Sequence, residues 1–197
     1  MAKTVLYMSM SLDGFITGPD DGVDHPLGRG GFRLHDWFND GNGDPKSFRP
    51  SAQPSAQVFD ELMDTAAVIT GRRTFDLAHG WNGDHHDGVP VFVLTHTAPE
   101  GEPAGHVRYV TDLESCVTAA KTAAGDRNIL VHGAYTAQRM LRAGLLDEME
   151  IHLIPVLLGQ GRRLFDADNP QNTELELVRA LSAPGVMHLR YRVQQHS

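Results

Sequence analysis

The sequence predicts a single α/β domain built on an open, twisted, mostly parallel sheet, with an antiparallel hairpin at its C-terminal end. Three observations lead there. Short apolar runs alternate with amphipathic stretches through most of the 197 residues, the pattern of successive strand and helix units. Two runs of alternating apolar residues close the chain around a Pro-Gly turn, the pattern of a hairpin. With 41% hydrophobic and 21% charged residues, and no repeat or low-complexity tract, residues 1–197 have the composition of one folded unit rather than a disordered chain.

Taken in order, Thr4 to Met10 is a short apolar run bounded by Asp13-Gly14, a buried strand followed by a turn. Residues 18–54 are dense in Gly, Pro, Asp and Asn and read as a long loop, interrupted only by Trp37 and Phe38. Ser55 is placed to cap a helix carrying Val58, Phe59, Leu62 and Met63 at helical spacing. Ala66 to Thr70 and Val89 to Thr95 read as buried strands, separated by a Gly- and His-rich loop around Trp81 to Gly88. A strand at Val107 to Val110 runs into Thr111-Asp112-Leu113-Glu114, a capping box opening a helix to about Ala124. Asn128 to Val131 is a strand leading into a helix from about Tyr135 to Ala143, stopped by Gly144. Met149 to Leu158 is strand-like, and Pro155 inside it points to an edge or a bulge. Leu175 and Leu177, then the turn at Pro184-Gly185, then Leu189, Tyr191 and Val193 form the terminal hairpin.

The formal charge of -8 sets net repulsion against a polyanion, and the scattered basic residues form no stripe, so nucleic acid is not an expected partner. The pairs Arg72-Arg73 and Arg162-Arg163 are enough to hold one phosphorylated small molecule. The single cysteine, Cys116, allows no intramolecular disulfide and fits a reducing compartment. The apolar run near the N-terminus is far shorter than a signal peptide or a spanning helix needs, so the expectation is a cytoplasmic protein with no membrane partner.

Chemistry concentrates at three strand ends. Gly71-Arg72-Arg73-Thr74 follows a parallel strand, where open α/β sheets bind ligands; Gly lets a phosphate approach the backbone, Arg offers a planar fork and Thr a hydroxyl. Four residues match often by chance, and a solvated basic turn is the competing reading. Thr95-His96 ends the next strand and can complete a site for the 2'-phosphate of NADPH, although a lone exposed His is more often a loop residue. At the third end, His132-Gly133-Ala134-Tyr135-Thr136, small residues lead straight into a helix start, whose free N–H groups and dipole suit a pyrophosphate. The GxGxxG spacing of a Rossmann site is absent.

The ordered set Ser9-Met10-Ser11-Leu12-Asp13-Gly14-Phe15-Ile16, then GRRT, LTH and HGAYT, then Gly144-Leu145-Leu146-Asp147-Glu148 and Pro155-Val156-Leu157-Leu158-Gly159, resembles the dihydrofolate-reductase-like family. The branch it resembles most is the reductase half of the riboflavin-biosynthesis deaminase-reductase, over about Ser9 to Phe165. The resemblance implies a central sheet of about eight strands with flanking helices, NADPH as hydride donor and a homodimer. It implies phosphate contacts at Arg72 and Thr74, the adenosine-phosphate segment at Thr95 and His96, the pyrophosphate turn at Gly133 to Thr136, Ile16 beside the nicotinamide, and Asp13 facing substrate.

Two departures shape the expected activity. The riboflavin branch has Glu-Gly-Gly where this chain has His132-Gly133-Ala134, and one cysteine cannot supply the paired ligands of a zinc deaminase. Asp60, Glu61 and Asp64 lie on the Ser55 helix, none at the position of the folate reductases' carboxylate. No metal is expected: His85-His86-Asp87 reads as a solvated loop more readily than a ligand set. Trp37 and Trp81 either line a cleft or anchor their loops, Arg162-Arg163 reads as a surface turn, and Asp147-Glu148 as a connection facing solvent or a dimer partner. The expected activity is NADPH-dependent reduction of a C=N or C=O bond in a small heterocyclic or carbonyl substrate, with Asp13 as proton relay or substrate anchor. A non-catalytic NADPH-binding or sensing protein and a flavin-type oxidoreductase remain open alternatives.

Overall fold

The computed structural model describes residues 2–38, 49–101, 103–165 and 172–194. Among the described residues, ten strands and four α-helices follow in the order β1 (Thr4–Ser11), β2 (Phe15–Thr17), α1 (Ser55–Met63), β3 (Ala67–Gly71), α2 (Arg72–Leu77), β4 (Val91–Leu94), β5 (Val107–Val110), α3 (Leu113–Ala124), β6 (Ile129–His132), α4 (Ala134–Arg142), β7 (Glu148–Ile154), β8 (Arg162–Arg163), β9 (Leu175–Ala183) and β10 (Val186–Val193). Short 3-10 helices occupy Gly31–Phe38 and His79–Gly83. The main sheet has eight strands in the order β5-β4-β3-β6-β1-β7-β10-β9, and β2 pairs with β8 in a separate ribbon. The predicted α/β class, with its mostly parallel sheet, flanking helices and terminal hairpin, is the one observed. The chain divides into two compact units, residues 1–6 with 64–147 and residues 7–63 with 148–197.

In the first unit β5, β4, β3, β6 and the start of β1 are all parallel neighbours. These strands are apolar throughout, with Val68, Ile69, Val93, Leu130 and Val131 fully buried, as a sheet covered on both faces demands. Helix α3 contributes Cys116, Val117 and Ala120 to that core. Its N-cap is Asp112, one residue beyond the expected Thr111, and its carboxylate accepts from Ser115 N at 2.8 Å. Asp147, half-buried, closes this unit by accepting from the amide and hydroxyl of Thr4 at 2.8 and 3.0 Å.

The second unit holds the antiparallel β7-β10-β9 meander. β7 stops at Ile154, immediately before Pro155, so the proline ends the strand instead of bulging it. Part of the expected long loop is ordered: Gly18 N donates to Leu27 O at 2.8 Å, Arg29 N to Pro19 O at 2.9 Å, and Gly31–Phe38 is helical. Leu34 and Trp37 drive that helix into a cluster with Ile154 and Val186. Trp37 Nε1 donates to Ser9 Oγ at 3.0 Å, which settles this tryptophan as an anchor. Ser55 does not cap α1 with its side chain; its hydroxyl is buried against His188 Nε2 at 3.0 Å. Glu148, expected to face solvent or a dimer partner, is buried and accepts from Arg190 Nε at 2.7 Å. Around it Arg179 reaches Glu61 at 2.7 Å and Glu150 at 3.1 Å. Burial pushes the Glu150 carboxyl above its ordinary range while the two guanidinium groups pull it back.

Candidate functional site

The parallel register of the first unit brings the three predicted strand ends side by side. Thr70 of β3 is level with His132 of β6, and Gly71 is level with Leu94 of β4. The next residues along each strand, Arg72, Gly133 and Thr95, therefore leave the sheet together at its carboxyl edge, in the strand order β4-β3-β6.

Two of these turns interlock. Gly133 has φ +89°, and a β-carbon there would overlap Thr74 Oγ1, so only glycine lets the β6 turn close against the β3 turn. Reciprocally, a β-carbon on Gly71 would lie 2.8 Å from Thr136 Oγ1. Neither Gly71, before α2, nor Gly133, before α4, supplies a side-chain cap, so the first-turn amides of both helices have no cap of their own. Thr136 is fully buried, and among the described residues its hydroxyl has no hydrogen-bond partner. Ala134 is buried beneath the turn and Tyr135 is exposed.

On the rim, Arg72 is half-exposed and its Nε meets Asp76 Oδ1 and Oδ2 at 2.8 and 2.9 Å, with the guanidinium 5.8 Å from the centre of the Tyr109 ring. This pairing holds the arginine cationic, raising its pKa further. Arg73 and His96 are exposed, and Thr95 Oγ1 donates to Thr97 O at 3.0 Å. The edge thus offers backbone donors, an uncommitted buried hydroxyl and an exposed guanidinium, which together suit a phosphate-bearing ligand.

The Gly- and His-rich loop is no solvated loop. His86 is buried, and its Nε2 lies 3.1 Å from Thr65 O; His85 Nδ1 lies 2.7 Å from His86 Nδ1, and His85 Nε2 lies 3.1 Å from His132 Nε2. Burial, then the neighbouring imidazoles, pushes His85 down to about 2. Trp81 packs on both His85 and His132, with ring centroids 4.7 and 6.0 Å away. It is delivered there by consecutive left-handed residues His79, Gly80, Trp81 and Asn82, a strained conformation. The cluster is not legible in the sequence because His132 lies 47 residues from His85; the density of His and Trp between His79 and His86 was the available signal. No group of three His, Cys, Asp or Glu is placed to hold a metal ion among the described residues.

The remaining predicted residues belong to the second unit. Asp13 Oδ1 accepts from Ser11 Oγ and from Leu158 N at 3.2 Å, and Oδ2 accepts from Gly159 N at 2.7 Å. Desolvation pushes the carboxyl up, and these donors together outweigh it and hold the carboxyl below its ordinary range. The geometry is that of a turn clamp for the 158–159 segment, and it ties up both oxygens. Ile16 is buried in β2. Arg163 donates from Nη1 to Asp13 O at 3.0 Å and covers the Phe15 ring, while Arg162 pairs with Asp21.

Comparison with known proteins agrees with this architecture. The protein of Bacillus subtilis (strain 168) named YwjB, itself uncharacterized, is 27% identical over 83% of this chain and 82% of its own. A second uncharacterized protein of that strain, YyaP, is 24% identical over 96% and 94%. Among solved structures, a protein of Shewanella sp. PV-4 with a provisional assignment to riboflavin biosynthesis superposes with a TM-score of 0.72 at 25% identity, covering 99% of this chain and all of that one. Acinetobacter baumannii RibD shares the fold, with a TM-score of 0.62 at 16% identity over 98% of this chain and 58% of its own. The RibD C-terminal domain family matches residues 2–189, and the chain belongs to that family.

Proposed function

We propose that this protein is an NADPH-dependent reductase that delivers hydride to a C=N or C=O bond of a small heterocyclic or carbonyl compound. The observation that carries this reading is the pair of interlocked glycine turns at the adjacent carboxyl ends of β3 and β6. A dinucleotide fits there on the chain's own terms. The first-turn amides of α4, which Gly133 does not cap with a side chain, and the Thr136 hydroxyl, which has no partner among the described residues, are donors suited to the pyrophosphate. Arg72, with Arg73, Thr95 and His96 on the same edge, supplies the charge that favours a 2'-phosphate. Family membership and the likeness to the Shewanella protein favour reductase chemistry.

The bound cofactor would supply hydride; the protein's part is to position, to exclude water and to manage one proton. The clamp on Asp13 makes it better suited to shaping the loop beside β2 than to giving up a proton. The homodimer implied by the resemblance has a place to form. Edge strand β9 exposes Leu175, Leu177 and Val178, the apolar edge that monomers avoid. The activity is tested by following NADPH oxidation across a panel of heterocyclic imines, pyrimidines and simple carbonyl compounds. Turnover of any of them supports the reading, and tight NADPH binding without turnover across the panel would favour a sensor instead.

A further inference from the structure

Trp81 is poorly suited to its own backbone. Its φ is +47°, between Gly80 at +61° and Asn82 at +53°, in the left-handed region that Gly and Asn tolerate and a large side chain avoids. The run is held there from both ends. Trp81 N donates to Ala78 O at 3.0 Å, Asp84 N to Trp81 O at 3.1 Å, and His106 N to Gly83 O at 2.9 Å. A β-carbon on Gly80 would lie 2.8 Å from the Phe75 ring, so glycine at that position lets Phe75 close against the run.

Little inside the protein offsets this strain. The Trp81 ring stays half-exposed, and among the described residues its Nε1–H has no acceptor. Trp37, by contrast, is buried and donates to Ser9. A bulky residue kept in a strained conformation, with an indole face and donor left over, points to a ligand. The ring also stands where a ligand would come. It lies 6.0 Å from Phe75 of α2 and 6.0 Å from His132, the residue before Gly133, so it flanks the interlocked turns at the ends of β3 and β6. Its other ring neighbour, His85, is kept neutral by burial, so flat, uncharged groups surround the indole on this side.

We propose that Trp81 selects the substrate: its indole stacks on the flat ring of an uncharged heterocycle, and its Nε1–H donates to an oxygen or nitrogen of that ring. Stacking on an indole rewards a planar aromatic body and gives a saturated carbonyl compound nothing comparable. The proposal narrows the substrate class of the reductase reading and rests on that reading for its use, while the binding itself is measured without turnover.

The test uses full-length Trp37→Phe, in which Trp81 is the only indole, titrated with uracil, pterin and cyclohexanone, with and without NADPH. Uracil and pterin should quench Trp81 fluorescence, and cyclohexanone should not. If Trp37→Phe does not fold, the wild-type quench minus that of Trp81→Phe gives the same reading. By calorimetry, Trp81→Ala should weaken pterin about tenfold, through loss of the stacking face. Trp81→Phe keeps a face and loses the donor, so it should weaken pterin only about threefold. Both variants should bind NADPH as wild type does. Absence of quenching by both flat rings, or equal quenching by cyclohexanone, would overturn the proposal. So would a loss of NADPH affinity in Trp81→Ala as large as the loss for pterin, or equal quenching by adenosine 2',5'-bisphosphate, which would assign the indole to the cofactor. If pterin quenches and NADPH does not bind, the reductase reading fails and the ring site stands; if NADPH binds and neither flat ring does, the reverse holds.

Discussion

The hydroxyl of Thr136 separates architecture from binding, because it is buried and the described protein offers it no acceptor. Thr136→Val keeps the shape. An unpaired hydroxyl gives stability nothing, so the melting temperature should hold or rise, whereas a lost bond to a charged phosphate should weaken NADPH by about tenfold, roughly 1.5 kcal/mol. Calorimetric binding beside thermal melts reads both; unchanged affinity would remove Thr136 from the seat. Gly133 is a poorer probe, since any side chain there meets both φ +89° and Thr74, so the fold itself would suffer. Asp13→Asn is expected to destabilise rather than merely to slow turnover, because an amide cannot accept at both positions where Leu158, Gly159 and Ser11 donate. The carboxyl is held below its unfolded value, so its contribution to stability is present above about pH 4 and fades as pH falls through the folded pKa. Melting curves of wild type and variant should therefore converge in acid, and a constant gap would contradict the clamp.

At the level of elements, the strand ends were legible in the sequence because parallel strands buried on both faces are continuous apolar runs, and the Gly-rich turns that follow them are abrupt. The 3-10 helix at Gly31–Phe38 was not, since Leu34 and Trp37 acquire their meaning only against Ile154 and Val186, over a hundred residues away. The same holds for His132: nothing local in His-Gly-Ala shows that His85 and His86 will reach it. Nor does the sequence of β7 show that Glu148 and Glu150 are buried, because that depends on Arg179 and Arg190 arriving from the hairpin. This ion cluster makes a paired prediction. Arg179→Met leaves the buried Glu150 carboxylate with Arg190 alone, at 3.6 Å, and should cost about 3 kcal/mol, while Glu150→Gln, losing a charge that burial disfavours, should cost far less or stabilise. The Glu150 pKa is raised in the fold, so its ionisation works against stability as pH rises through that value. Urea midpoints followed from acid to neutral pH should show this loss in wild type and not in Glu150→Gln.

For the whole molecule, no helix among the described residues is long and apolar enough to cross a membrane. The apolar β9 edge predicts self-association. Light scattering should report a dimer, and Leu177→Glu, placing a charge on that exposed edge, should shift it toward monomer without unfolding; a wild-type monomer at all concentrations would refute the interface. On the proposed reading, the carboxyl edge of β4-β3-β6 seats the phosphates of NADPH, with Arg72 reading the one that NADH lacks. Arg72 is half-exposed and already paired with Asp76, so its contribution should fall at the low end for a charge-assisted contact, about 1.5 kcal/mol or roughly tenfold in affinity. The direct measurement is the dissociation constant of NADPH and of NADH for wild type and for Arg72→Ala. NADPH should bind clearly tighter than NADH in wild type, with the preference reduced about tenfold in the variant; equal affinity for the two cofactors in wild type would contradict this assignment.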